Sequence, residues 1–208
     1  MAMKLFIGDV HGELERLRQA LDFANTLSIN EIFCTGDLFK SYRDHQVDES
    51  AIISVLTSHG VQTIRGNHDD WYLERQPDGA VSEFIASLPY TRDVELPGGT
   101  ALFCHGIGKR TMAKVRNDDY GYALESNFEL WAVINSGHYR FLVNGHTHHQ
   151  MTRVIEGLRI INAGAICHDD SGIVLLDEDS MDVWWLPFAG GLEAAAMEEP
   201  WFNLGAKE

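Results

Sequence analysis

Five short segments of this chain carry residues that could do chemistry, in the order Asp9-Val10-His11-Gly12, Gly36-Asp37, Gly66-Asn67-His68-Asp69, Cys104-His105-Gly106 and Gly145-His146-Thr147-His148. Singly they mean little, because an aspartate after a strand is as often a turn residue as a ligand. Together Asp9, His11, Asp37, Asn67, His105, His146 and His148 offer seven oxygen and nitrogen donors, of the kind that hold two divalent metals of hard to borderline character. His68 is left over for proton transfer. Two such ions carry four positive charges, and Asp9, Asp37 and a bound hydroxide remove about three, so the centre stays positive and attracts phosphate. The chemistry expected of this set is phosphoester hydrolysis by a metal-bound hydroxide.

The elements that must position these residues can be read from the apolar pattern. Lys4–Gly8, Glu31–Thr35 and Val61–Ile64 read as buried strands, separated by helical periodicity over Glu13–Leu27 and Ser50–Ser58. Strand–helix alternation of this length implies parallel pairing through right-handed crossovers, with ligands at the carboxyl ends of the strands. Residues i and i+2 of an extended segment share a side, so Asp9 with His11, and His146 with His148, are expected to pair in this way. Glycines at 8, 36, 66 and 145 precede ligands and suggest sharp strand exits with close backbone approach.

Further along, Trp71–Leu88 and Glu129–Ser136 read as helices, and Tyr90–Leu96 with Thr100–Cys104 as a hairpin around Pro97-Gly98-Gly99. Phe141–Asn144, Thr152–Ile155, Leu158–Ile161, Ile173–Asp177 and Asp182–Leu186 read as late strands. The expected fold class is α/β, a two-sheet β-sandwich flanked by helices on both outer faces. Residues 1–188 form one domain in this reading, and the acidic tail 189–208 is loosely held.

Bulk composition narrows the function. A formal charge of −15 argues against non-specific binding to nucleic acid or an anionic membrane, but not against a small phosphorylated substrate drawn to a local positive centre. No apolar run approaches the roughly 20 residues of a membrane span, and Met1-Ala2-Met3-Lys4 leads straight into a strand, so the protein is expected to be cytoplasmic. Cys34, Cys104 and Cys167 are scattered in apolar segments and are expected to be buried reduced thiols. Asp69 and Asp70 read as helix caps. His45, His59, His138, His149 and His168 read as satisfied core groups, with His168-Asp169-Asp170 solvating a loop.

The blocks Gly8–Gly12, Gly36-Asp37, Arg65–Asp69, His105-Gly106 and Gly145–His148 resemble the signature of the calcineurin-like metallophosphoesterase family, over roughly residues 5 to 150. The resemblance implies a two-sheet sandwich and two divalent ions (Mn, Fe, Ni, Co or Zn). It implies Asp9, His11 and His148 at one ion, Asn67, His105 and His146 at the other, Asp37 as the bridge, and His68 as general acid. In the protein serine/threonine phosphatase branch an aspartate and an arginine follow the second motif; this chain has Lys40 and Ser41 there, which leaves the orienting partner of His68 open. Lys40, Arg43, Lys109 and Arg110 are the candidates for the phosphate contact, the last two from a basic stretch, Gly108–Asn117, that reads equally as a solvated face. A competing function is a non-catalytic metal-binding scaffold of the same fold, as in the retromer subunit.

Overall fold

The computed structural model describes residues 2–40, 47–192 and 199–204. β1 (Met3–Ile7), β2 (Glu31–Cys34) and β3 (Gln62–Thr63) pair in parallel, joined by α1 (Leu14–Thr26) and α2 (Glu49–Ser58). Strands buried on both faces read as unbroken apolar runs, and β1 divides its side chains accordingly. Phe6 points into the core between the sheets, while Leu5 and Ile7 pack against the helices. On α1 the buried stripe is Leu17, Ala20, Leu21 and Ala24, the three- and four-residue spacing of an amphipathic helix. Asp48 caps α2 by accepting from the Ala51 N–H at 2.9 Å.

The stretch read as one helix over Trp71–Leu88 is two, α3 (Asn67–Arg75) and α4 (Ala80–Ser87). Pro77 removes a backbone donor and Gly79 adopts φ 106, a conformation no helix continues through. Helix α3 also starts earlier than expected, so the third motif is its first turn. β4 (Thr91–Leu96) and β5 (Gly99–Cys104) form the expected hairpin. A short α5 (Tyr122–Glu125), unforeseen from the sequence, precedes α6 (Phe128–Ser136), which Asn127 caps at the Leu130 N–H and Gly137 ends in the left-handed region.

β6 (Tyr139–Asn144), β7 (Gln150–Ile155) and β8 (Leu158–Ala163) complete the second sheet, in the order β4-β5-β6-β8-β7, with β5, β6 and β8 parallel. The remaining strands return to the first sheet: β9 (Gly172–Asp177), β10 (Asp182–Pro187) and β11 (Phe202–Asn203) extend it antiparallel, in the order β11-β10-β9-β1-β2-β3. The late strands are thus shared between the sheets. The described part of the tail is held, because β11 pairs with β10 and Leu192 and Leu204 are buried. One core of Phe6, Phe33, Phe103, Leu142, Ile160 and Val174 fills the space between the sheets, and α6 joins it through Leu130 and Val133. A second core lies under α1, α2 and α4. No described helix is long and apolar enough to cross a membrane.

Candidate metal centre

The parallel strands of both sheets end at one place, and cross-sheet hydrogen bonds hold the ends together. The Asp9 N–H donates to the Gly164 carbonyl at 3.1 Å and the Ile166 N–H to the Asp9 carbonyl at 2.9 Å, which clips the first motif to the chain leaving β8. Asp9 is fully buried. Its carboxylate accepts from the Thr35 hydroxyl at 2.8 Å and from the His146 N–H at 3.0 Å, so one side chain ties motifs one, two and five. Gly145 is required here: a β-carbon on it would lie 2.3 Å from Asp9 Oδ1.

His11 and His148 meet with Nε2 atoms 3.0 Å apart, and His148 Nε2 lies 3.3 Å from Asp9 Oδ2. His148 thus meets His11 and Asp9 while His146 packs against His105, with ring centroids 5.1 Å apart, so the pairing expected from strand alternation is not the one formed. His11, His146 and His148 have φ of 47, 66 and 62, in the left-handed region, so tight turns aim these side chains. For a residue with a β-carbon such a conformation costs on the order of 1–3 kcal/mol, and it persists because neighbouring structure over-determines it.

Asp37, at φ 47, is buried between the two groups. Oδ1 accepts from the His68 N–H at 2.7 Å, while Oδ2 lies 3.4 Å from His105 Nε2 and 3.8 Å from His11 Nε2. His105 Nδ1 donates to the Thr35 carbonyl at 2.8 Å, which leaves Nε2 a lone pair facing Asn67 Oδ1 at 2.9 Å. His105 Nε2, Asn67 Oδ1 and Asp37 Oδ2 therefore converge as three lone-pair atoms, and in the metal-free protein the hydrogen available to them is a proton on the Asp37 carboxyl. A cation satisfies all three, and this is the observation on which the donor set fits a metal. His11 with His148 and Asp9 forms a second convergence beside it. Placing a methyl group on Gly66 would bring it 2.1 Å from Asp37 Oδ1. Gly66→Ala is accordingly expected to weaken metal binding by about 10–100-fold, as loss of a supporting contact does, measurable by equilibrium dialysis; unchanged affinity would show that Asp37 can move aside without loss.

Burial sets the protonation of the group. In the protein stripped of metal, burial and the adjacent Asp9 and Asp69 push the Asp37 carboxyl well above the usual range. Asp9 is also raised by burial, but His105, His148 and His11 together bring it below its ordinary value. Burial lowers His11 and His146 to about 4, and Asp69 rises to about 7 for the same reason. The imidazoles are thus ready as neutral ligands well below neutral pH. A histidine-resolved NMR titration of the stripped protein should show midpoints at about 4 for His11 and His146 instead of the ordinary 6.5; midpoints near the ordinary value would refute this poise.

The linkage to stability has two opposing parts. For the two histidines the unfolded chain binds protons first, so their stability is present above 6.5 and is lost as pH falls through about 4. For Asp69 the folded state binds the proton more tightly, so its stability is present below 3.8 and is lost as pH rises through about 7. The stripped protein should therefore show a muted pH dependence between those limits.

Several working residues escaped the sequence reading. Thr35 bonds both Asp9 and His105. Asn162 donates to Asn144 Oδ1 at 3.0 Å and to the Gly145 carbonyl at 2.6 Å, and accepts from the Gly164 N–H at 2.9 Å. The available signal was polarity at the ends of otherwise apolar strands. Asp69 is a cap as expected, accepting from the Gly66 N–H, and it also takes the Leu38 N–H at 2.8 Å, fixing the turn that carries Asp37. His168, read as a loop residue, has its Nε2 3.0 Å from His148 Nδ1. Cys34 and Cys104 are buried thiols as expected, whereas Cys167 is only partly buried and lies within 4.8 Å of the ring nitrogens of His11 and His148.

His68 packs edge-on against His11 and Trp71, with ring centroids 4.8 Å apart in each case. Its buried Nδ1 has no hydrogen-bond partner among the described residues. The proposed basic contacts are distributed unevenly. Lys40 is half-buried beside the second motif, and Arg43 lies outside the described residues. Lys109 and Arg110 line a cavity of about 400 Å³ with Met112 and Glu129, bordered by none of the converging histidines among the described residues. The reason is local: Ile107 and Arg110 exchange backbone hydrogen bonds at 3.1 and 3.2 Å, folding that tip into a tight turn. Lys114 instead is close enough to His146 to help hold it neutral, and Arg116 lines a cavity of about 450 Å³ with Thr147, His149 and Met151.

Solved structures share the fold. The hypothetical protein PH1004 from Pyrococcus horikoshii OT3 superposes with a TM-score of 0.71 at 13% identity, over 90% of this chain and 88% of that one. Yfce, a phosphoesterase from E. coli, gives 0.57 at 16% identity over 89% and 92%. Vps29 from Entamoeba histolytica, complexed with Zn²⁺, gives 0.58 at 18% identity over 91% and 94%. At such identities the likeness is one of fold. No curated protein matches this sequence. Residues 3–181 do match the calcineurin-like phosphoesterase superfamily domain, a span that begins with β1 and holds every converging donor described above, and the chain belongs to that superfamily.

Proposed function

We propose that this protein hydrolyses phosphomonoesters or phosphodiesters with two divalent metal ions. The carrying observation is the convergence on Asp37 of donors from both sheets, with acceptors facing one another where a cation would satisfy them. Asp9, His11 and His148 would hold one ion, Asn67, His105 and His146 the other, and Asp37 both. When bound, such ions stabilise charge on phosphoryl oxygens and make a strong nucleophile available near neutral pH.

The chain's own residues supply the rest. The His68 backbone N–H donates to Asp37, and its ring lies close enough to His11 and Asp37 to face the reacting centre, where we assign it proton transfer and not ligation. Burial first, and then His105 and His148, lower the proton affinity of this imidazole, so that its protonated form readily gives the proton to the leaving oxygen.

The test is hydrolysis of an aryl phosphate and the corresponding diester by metal-stripped protein supplied with Mn²⁺, Ni²⁺, Co²⁺, Zn²⁺ or Fe²⁺. A panel of cyclic and linear diesters, dinucleoside polyphosphates and phosphopeptides would follow. Metal-dependent turnover of either ester is expected; tight metal binding with no turnover of any substrate would instead make the protein a metal-binding scaffold.

A further inference from the structure

The hydrolysis proposed above leaves one nearby group unused, the Cys167 thiol. Its Sγ and the ring nitrogens of His11 and His148 all lie within 4.8 Å of one another, and the two Nε2 atoms are 3.0 Å apart. Zinc bonds of about 2.3 Å to sulfur and 2.0–2.1 Å to nitrogen put neighbouring tetrahedral ligands roughly 3.3–3.7 Å apart, so a side-chain adjustment of about 1 Å or less brings all three onto one ion. The thiol is not a wanderer on a loose loop. On one side of it the Ile166 N–H donates to the Asp9 carbonyl, and the Arg16 guanidinium holds the Ile166 carbonyl at 2.9 Å. On the other side the His168 N–H donates to Ser171 Oγ at 2.7 Å and its ring meets His148.

We propose that Cys167 is a ligand of the ion held by Asp9, His11 and His148, and that it tunes this position toward thiophilic metals. This rests on the metal-centre reading above. Binding would break the S–H bond, release the proton to solvent and form a sulfur–metal bond, with no change of oxidation state. A thiolate favours zinc and cobalt over manganese or magnesium, which prefer oxygen. The oxygen-and-nitrogen donor set alone makes no such distinction.

Cobalt separates the two readings, because its visible d–d bands report the ion in a site of histidines and carboxylates while a near-ultraviolet sulfur-to-cobalt charge-transfer band reports the thiolate. Metal-stripped wild type titrated with Co²⁺ without oxygen is expected to show both. Cys167→Ser and Cys167→Ala should keep the visible bands, lose the charge-transfer band, and bind Co²⁺ and Zn²⁺ about 10-fold or more weakly while Mn²⁺ affinity changes little. Circular dichroism of each variant controls for folding. Visible bands without charge transfer in the wild type would overturn the proposal and leave the metal centre standing. Charge transfer that survives in both variants would overturn it as well, by assigning the sulfur elsewhere. Absence of any cobalt band would remove both readings together.

Discussion

Asp37→Asn is expected to lower turnover by more than about 100-fold and to deplete bound metal, while leaving the stripped protein as stable as the wild type or more so. The first effect follows from position. Asp37 is the carboxylate that faces His105 on one side and His11 on the other, so neutralising it weakens both halves of the centre at once. The second follows from burial: with no cation present, desolvation and the nearby Asp9 and Asp69 already disfavour its charge, and a neutral amide removes that penalty. Asparagine also tolerates the left-handed backbone at this position. Metal analysis, steady-state kinetics and thermal unfolding of the stripped variant check the three parts. Two retained metals with near-normal turnover would remove Asp37 from the centre.

The second large effect is expected at His68. Its link to Asp37 is through the backbone N–H, which any residue provides, so His68→Asn should retain metal and lose about 10²–10⁴ in kcat. The loss should be steepest for substrates with poor leaving groups, which need the proton most. Among the described residues no carboxylate hydrogen-bonds the ring. Asp69 is occupied by the Gly66 and Leu38 amides, and Asp70 by the Tyr90 hydroxyl at 2.9 Å and Arg65. Packing against His11 and Trp71 holds it instead. Equal losses for good and poor leaving groups would exclude a general-acid role.

Placement of the candidate donors at strand ends was legible because it rests on local regularities. Buried parallel strands are continuous apolar runs, so the polar residues that interrupt them at Asp9, Asp37, His105 and His146 mark where each strand leaves the core. Glycines where a β-carbon would strike a carboxylate, at 66 and 145, were visible for the same reason. Helix boundaries were less so. Pro77 and Gly79 break Trp71–Leu88, but the start of α3 at Asn67 depends on Gly66 and Asp69 closing a cap that also has to fit against Leu38.

By itself, then, the sequence determined the α/β class, the order of the strands that carry chemistry, and the donor types available for metal and phosphate. These follow from periodicity, backbone freedom and ligand chemistry, which act over a few residues. Only the tertiary structure decided which donors meet. The Thr35–Asp9, His105–Asn67, His11–His148 and His148–His168 contacts join residues far apart in the chain. It likewise decided that left-handed turns, and not strand alternation, aim His11, His146 and His148, and that Cys167 stands beside two of them. Such contacts arise when two sheets pack and bring separate strand ends to one point, and no residue's nearest neighbours in sequence carry that information.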